Sequence, residues 1–427
     1  MKVFKFGGAS IKDPKAVRNL GNIILQYQNE PLLVVVSAMG KNTNMLEEVL
    51  RLKIAQEEHQ DEFRNFIDYH YHISTELFKQ EDHPVFLQLE KLEDQLKSIL
   101  ALDFSIGSYN QHYDQVVSFG ELFSSYIVFH YLNEIGMPCQ WVDARDYIQT
   151  DQRYREGKVD WSVTQNLIKN KLRKEHPQMI LVTQGFIAGD GDGNTTTLGR
   201  EGSDYSAAVF AYCLDSPSVT IWKDVPGVLN ADPKSWPETQ LFRELSYDEA
   251  AEMTYYGALV IHPKTIKPLA NKRIPLFVRS FQHSESPGTQ IHLCHHPQLP
   301  PAVIFKPDQC LISFQVRDFT FINERKLSQI FHLLEELNLK INMMQSSAIT
   351  FSICMDSLNN KLKTLINSLS HEFEIHYNDH LELITVKNYD HDTIEKVKKG
   401  RNILLEQQSR KNYQLLAVST TSNQDIA

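Results

Sequence analysis

Charged and small residues in this chain gather where short apolar runs stop. Over residues 181–233 it reads LVTQGFIAGDGDGNTTTLGREGSDYSAAVFAYCLDSPSVTIWKDVPGVLNADP. An apolar run at 179–182 has the length of a buried strand. A Gly/Asp/Thr segment follows, then Arg200, Glu201, Gly202, Ser203 and Asp204, and an apolar helix begins near Tyr205. A second apolar run, 219–222, ends in Lys223 and Asp224. The pattern is strand, glycine loop, helix, strand, with charge at the strand ends, where α/β folds bind ligands. The N-terminus repeats it: the alternating run 2–6 stops at Gly7, Gly8 and Ser10. Two glycines let backbone N–H groups face an anion, and the Lys5 ammonium is close enough in sequence to share it. The run PLLVVV at 31–36 stops at Ser37, Gly40 and Thr43. Taken singly, each stretch also reads as a tight turn or a solvated loop.

The elements that must position these groups are legible around them. Asp13 and Pro14 open a helix to about Gln28, as N-cap and first helical residue. Residues 45–135 are rich in helix formers and read as a helical subdomain over the sheet, with a helix over 109–133. Glu121 lies there among Phe119, Leu122 and Phe123, a costly place for an acid unless it is paired. Short strands are expected at 137–142 and 274–278, a capping box at Ser246 and Glu249, and a strand-to-helix unit at 257–265. Residues 1–290 form the main domain and 291–307 a linker rich in Pro and His.

From Cys310 the pattern changes. A strand (CLISFQV), a helix over 324–337, strands at 339–344 and 349–355, a helix over 361–369 and strands at 373–376 and 381–386 follow. That order, β-α-β-β-α-β, is ferredoxin-like. A short helix at 393–398 and a strand at 414–418 close the chain, and 419–427 read as frayed. The fold class is α/β, with a mainly parallel central sheet flanked by helices, plus a C-terminal α+β domain over 308–427.

Composition sets the outer bounds. A chain of 427 residues exceeds one ordinary core and predicts two or three domains. A net charge of −10 argues against general nucleic-acid binding. The five cysteines are scattered without a CxxC pair, which gives no zinc or disulfide framework and suggests a reducing compartment. The first ten residues enter a strand at once, without the apolar core of a signal peptide. No apolar run approaches the ~18–20 residues of a membrane span. The expected location is the cytoplasm.

Taken together, the motifs at 5–10, 36–40, 118–121, 198–204 and 224–227 resemble aspartate kinases of the amino acid kinase superfamily. The tail resembles the ACT regulatory domain of those enzymes. The resemblance implies the amino acid kinase fold and transfer of the γ-phosphoryl of Mg-ATP to the side-chain carboxylate of L-aspartate. The product would be 4-phospho-L-aspartate, the first step toward lysine, threonine and methionine. It implies that Lys5 and Asp204 are catalytic, with Lys5 on the phosphates and Asp204 orienting it. Ser37, Thr43 and Ser203 would line the aspartate pocket, Arg200 would hold the α-carboxylate, and Glu121 would receive the α-ammonium. Gly7, Gly8, Ser10, Lys223, Asp224, Leu229, Lys234 and Lys264 would serve the nucleotide. ATP and Mg²⁺ are the implied cofactors, with no protein residue singled out as a metal ligand. The implied assembly is a homodimer through the ACT-like domain, with no nucleic-acid or membrane partner.

The chain departs from the family pattern at several points. Glu201 stands where glycine is usual after the arginine, and Lys223 where Thr or Ser is usual. Leu229 and Lys234 replace a tyrosine and an arginine. Leu259 replaces a lysine whose charge Lys264 could supply. The tail holds one complete ACT unit and part of a second, and 317–324 lack the glycine that admits an effector. Weak or absent sensing of lysine or threonine is expected. Two other readings stand beside the first: a kinase of glutamate or acetylglutamate, and a non-catalytic amino-acid sensor with a decayed nucleotide loop.

Overall fold

The computed structural model describes residues 1–102, 108–176, 179–258, 261–295, 299–317, 320–357 and 359–419. The chain divides into two compact units. The first comprises Met1–Leu229, Leu241–Ala251 and Leu259–His296; the second comprises Asn230–Gln240, Glu252–Ala258 and Pro297–Ala427.

In chain order the first unit begins with β1 (Lys2–Phe6), a single 3₁₀ turn, α1 (Pro14–Leu25) and β2 (Leu32–Val36). Five helices follow: α2 (Asn42–Ile54), α3 (Gln60–Leu77), α4 (Pro84–Leu100), α5 (Tyr109–Val117) and α6 (Phe119–Glu134). Then come β3 (Cys139–Trp141), α7 (Trp161–Leu167), the one-turn α8 (Arg173–Glu175), β4 (Ile180–Gln184), the ribbon strands β5 (Ile187–Gly189) and β6 (Thr195–Thr197), α9 (Gly202–Leu214) and β7 (Val219–Lys223). Finally β8 (Glu244–Ser246), α10 (Tyr247–Tyr256, whose last residues belong to the second unit), α11 (Pro263–Lys272), β9 (Leu276–Ser280) and β10 (Thr289–His292) complete the set.

One eight-stranded sheet, ordered β3-β4-β2-β1-β7-β9-β10-β8, carries this unit. Every pairing is parallel except β9 with β10. All five residues of β2 are buried, as a strand covered on both faces requires. Phe6 pairs with both Val36 and Trp222, and Val36 pairs with Gln184. The strand ends at Gly7, Ser37, Gly185 and Lys223 therefore lie side by side, and one edge of the sheet collects the groups singled out by type and spacing.

Local signals behave as their chemistry dictates. The Asp13 carboxylate accepts from Ala16 N at 2.8 Å and starts α1, and Ser246 Oγ accepts from Glu249 N at 3.1 Å and starts α10. The helix expected over 109–133 is two helices that meet at Ser118, whose hydroxyl donates to Gln115 O at 2.9 Å. Among the described residues of 257–262 no strand leads into α11; Leu259 lies outside them, as do 318–319 and 420–427.

The second unit contains β11 (Ala302–Val316), α12 (Glu324–Glu336), β12 (Ile341–Ser346), β13 (Thr350–Asp356), α13 (Asn359–Leu369), β14 (Phe373–Lys387), α14 (His391–Lys398), β15 (Ile403–Gln408) and β16 (Asn412–Val418). Its antiparallel sheet runs β12-β13-β11-β14-β16-β15. One half is ferredoxin-like, with Phe314, Ile330, Leu334, Ile353, Leu365 and Phe373 buried beneath α12 and α13. In the other half Val303, Ile384, Val386, Val397, Tyr413 and Leu415 pack together with Ala231 and the partly buried Trp236. Segment 230–240 thus provides apolar cover in the half that has only α14 as a helix.

Two expectations change here. The linker expected over 291–307 contains the end of β10 and the first residues of β11. The two strands expected at 373–376 and 381–386 are one 15-residue strand. Register shifts opposite Lys306 and Gln309 bend the pairing of β11 with β14 in its middle, so the polar centre of β14 reads in sequence as a break. Strand β15 was not expected, because its sequence, ILLEQQ, lies mostly exposed at an edge and lacks alternation.

Candidate active site

Lys5, Gly8, Ser37, Thr43, Glu121, Arg200, Ser203, Asp204 and Lys223 line one cavity of about 1250 Å³ at the converging strand ends. At its floor the Asp204 carboxylate, buried in the first turn of α9, holds Lys5 Nζ at 2.7 Å and Lys223 Nζ at 3.5 Å. Burial pushes the Asp204 carboxyl up, but the charges of Lys5 and Lys223 outweigh it and hold the group below the usual carboxylate range. Asp204 is therefore an anchored anion with two ammonium groups fixed to it. The pairing of Arg200 with Asp204 that a four-residue spacing permits does not form. Among the described residues Arg200 makes no ion pair, and it lies exposed at the cavity rim.

The backbone explains the tight fit. A Cβ at Gly8 would stand 2.6 Å from Ala38 O and 2.8 Å from Gly40 O, and a Cβ at Gly185 would stand 2.5 Å from Ser203 Cβ. The loops after β1, β2 and β4 and the start of α9 thus close together at backbone distance. Gly7 borders Lys5, since a Cβ there would meet its Nζ at 3.4 Å.

Glu121, in the first turn of α6, is 3% exposed. Its Oε1 accepts from Ala38 N at 3.2 Å, and among the described residues Oε2 has no hydrogen-bond partner. Burial raises its pKa to about 8 despite the Ala38 amide and the Lys5 charge, which both lower it. In its ionised form Oε2 is a buried acceptor without a donor, which is costly and suits a ligand that brings an N–H group. Glu201 occupies a left-handed conformation (φ 52°) ahead of α9. Its Oε2 accepts from His262 N at 2.8 Å, at the cap of α11. The charge that replaces the usual glycine is thus held by an amide at a helix N-terminus, where anions are favoured.

Other expected nucleotide residues stand elsewhere. Ser10 is buried and donates to Trp222 O at 3.3 Å, tying the turn after β1 to β7. Asp224 is exposed in the turn after β7, and Leu229 bridges to Leu241. Lys234 is exposed on the segment that belongs to the second unit. Lys264 donates to Leu198 O at 2.9 Å and lines a smaller cavity with Arg153, Tyr205 and Tyr212. None of these five is among the described residues that line the main cavity.

The sequence reading missed a whole wall. Gln152, Arg153, Tyr154, Arg155 and Glu156 line the cavity from a turn, with Tyr113 and Phe186 beside them. In sequence the turn carries neither helix nor strand period and drew no expectation. Its only signal was a run of Arg, Tyr and Arg between Thr150 and Gly157. With Lys5, Lys223 and Arg200, the cavity offers five cations against Glu121, Glu156, Glu201 and Asp204. Two of those four carboxylates are tied down and Glu121 is protonated below a pH of about 8. The arrangement can hold two anions together in a partly enclosed space. Among the described residues no group of three His, Cys, Asp or Glu side chains converges on a metal site, and no helix is long and apolar enough to cross a membrane.

Comparison with known proteins gives a consistent result. Residues 1–280 match the model of the amino acid kinase family. The lysine-sensitive aspartokinase 3 of Escherichia coli K12 is 30% identical over 361 residues, covering 83% of this chain and 78% of that protein. A maize chloroplastic bifunctional aspartokinase/homoserine dehydrogenase is 30% identical over 366 residues; the match covers 82% of this chain but only 39% of the maize protein's length. The crystal structure of E. coli aspartokinase III with aspartate and ADP superposes with a TM-score of 0.82 at 27% identity, covering 99% of this chain and 97% of that one.

Proposed function

The chain belongs to the amino acid kinase family, among its aspartokinases, and from that premise we infer that it transfers the γ-phosphoryl group of ATP to the side-chain carboxylate of L-aspartate, giving 4-phospho-L-aspartate. The observation that carries this reading is the Lys5–Asp204–Lys223 triad, anchored on the buried Asp204, in a cavity whose walls hold Arg200 and the unpartnered Glu121 oxygen. Phosphoryl transfer between two anions needs positioning and positive charge more than covalent help from the protein. Lys5, fixed by Asp204, stabilises the charge on the transferring group. Lys223 extends that charge toward the nucleotide, beside the amides of Gly7 and Gly8. Arg200 suits a bidentate hold on the α-carboxylate. Glu121 accepts the α-ammonium, and Ser37, Thr43 and Ser203 complete the aspartate pocket.

Among the described residues no carboxylate cluster would hold magnesium by itself, so the ion would arrive with ATP, in keeping with a hard ion that keeps much of its hydration. When bound it would neutralise charge on the phosphates. Asp204 is engaged by two lysines and acts as their anchor. Ser10, Asp224, Leu229, Lys234 and Lys264 take a lesser place in the nucleotide assignment than Lys223, because they lie outside the cavity lining. The second unit is an ACT-type regulatory domain, its second ACT unit shortened, which pairs two chains. The reaction feeds lysine, threonine and methionine synthesis in the cytoplasm, and the chain responds to lysine or threonine weakly if at all. Clear, saturable inhibition by either amino acid overturns that last point.

The test is a hydroxamate assay with Mg-ATP, L-aspartate and hydroxylamine, run in parallel with L-glutamate and with Lys5→Ala. Aspartyl hydroxamate from the wild type, and a loss of about a hundredfold or more in the variant, is expected. Product from glutamate in place of aspartate moves the acceptor to a longer acid. No product from either acid overturns the kinase reading.

A further inference from the structure

Arg155 is held where glycine would be easier. Its backbone has φ 70°, a left-handed conformation that costs any residue with a Cβ. The conformation is enforced from below. Asp114 is fully buried on α5. Its Oδ1 and Oδ2 accept from Arg155 N at 3.0 and 2.9 Å, and they also accept from Thr197 Oγ1 and Thr197 N at 2.7 and 2.8 Å. One carboxylate thus locks the turn to β6. The guanidinium lies over the Tyr113 ring, 4.2 Å from its centroid, and 3.8 Å from Glu47.

Glu47 stands four residues after Thr43 on α2, hence on the same helix face. Arg155 therefore enters the cavity from the Thr43 side. Its contact with Glu47 is long and solvent-facing, of the kind that contributes little. The aromatic face fixes the plane of the guanidinium.

We propose that Arg155 is a second carboxylate-binding residue of the acid-substrate pocket, which exchanges its loose contact with Glu47 for the α-carboxylate shared with Arg200. The strained backbone persists because the side chain is used. This rests on the aspartate-kinase reading above. It predicts a preference for acids with a free α-carboxylate and leaves the nucleotide unaffected.

The test compares wild type, Arg155→Gly and Glu47→Gln by steady-state kinetics, thermal unfolding and direct calorimetric titration with L-aspartate. Arg155→Gly relieves the backbone, so its melting temperature should equal or exceed that of the wild type. Its KM and Kd for aspartate should rise tenfold or more, with KM for ATP within twofold. The advantage of L-aspartate over its α-amide should shrink in that variant. Glu47→Gln should lower KM for aspartate by releasing Arg155. Unchanged aspartate binding in Arg155→Gly overturns the proposal while the wild type still turns over aspartate, and so does a rise confined to ATP. If the wild type neither binds nor phosphorylates aspartate, the underlying functional reading fails.

Discussion

Asp204 and Glu121 are two buried carboxylates in one cavity, and their surroundings drive them apart. Asp204 has two ammonium partners and stays ionised; Glu121 has one backbone amide and ionises only near pH 8. Asp204→Asn leaves two ammonium groups without their anion. We expect a stability loss of about 3 kcal/mol, read by denaturant unfolding, together with a fall in turnover larger than tenfold.

For Glu121 the sign runs the other way. Its folded pKa lies above the ordinary 4.5, so the protonated form is favoured in the empty fold. Its contribution to stability is full below about pH 4.5 and declines as pH rises toward about 8. An ammonium ligand requires the ionised form. Aspartate binding should therefore release a proton at pH 7, seen as a buffer-dependent enthalpy in calorimetry. Apparent affinity should rise about tenfold per pH unit below pH 8 and level off above it. Glu121→Gln should abolish the pH dependence and weaken binding.

At the scale of elements, the site is a product of backbone proximity. Gly8 does not need a left-handed φ; it needs room, because the carbonyls of Ala38 and Gly40 stand where a Cβ would be. Backbone cannot step aside as a side chain can. Gly8→Ala should separate the loops after β1 and β2, cost about 1–3 kcal/mol, and reduce kcat/KM for both substrates at once. A variant with normal kinetics would show that the close approach is unrelated to catalysis. Helix α9 shows the same coupling of packing to chemistry. Its residues are buried almost throughout, so the position of Asp204 at its first turn is set by the core, and the lysines follow the acid.

At the scale of the molecule, the two units have separate cores, and heat or denaturant need not melt them together. Phe314 is fully buried in the ferredoxin-like half of the second unit, edge-on to Phe373 with ring centroids 5.9 Å apart. Phe314→Ala should cost about 3–5 kcal/mol in the transition that belongs to that unit. Basal hydroxamate formation at a temperature below that transition should be retained. A single transition shifted as a whole, with activity lost in parallel, would mean that the first unit depends on the second for its own stability.

The sequence determined the elements whose signals are local. The apolar runs of β1, β2, β4 and β7, the Asp13 and Ser246 caps, and the gathering of Lys5, Ser37, Arg200, Asp204 and Lys223 at strand ends all follow from side-chain period and turn chemistry within a few residues. The parallel register that sets those ends side by side was implied once the strands were buried on both faces. What only the tertiary structure decided depends on partners far apart in the chain. Asp204 pairs with Lys5 and not with Arg200, four residues before it. Glu201 finds the amide of His262, Ser10 ties to Trp222, and Asp114 fixes the turn that carries Arg155. Segment 230–240 packs with strands that begin seventy residues later. Such pairings carry no periodic trace, because a charge or a hydrogen-bond donor is satisfied by whichever partner the packed core delivers to it.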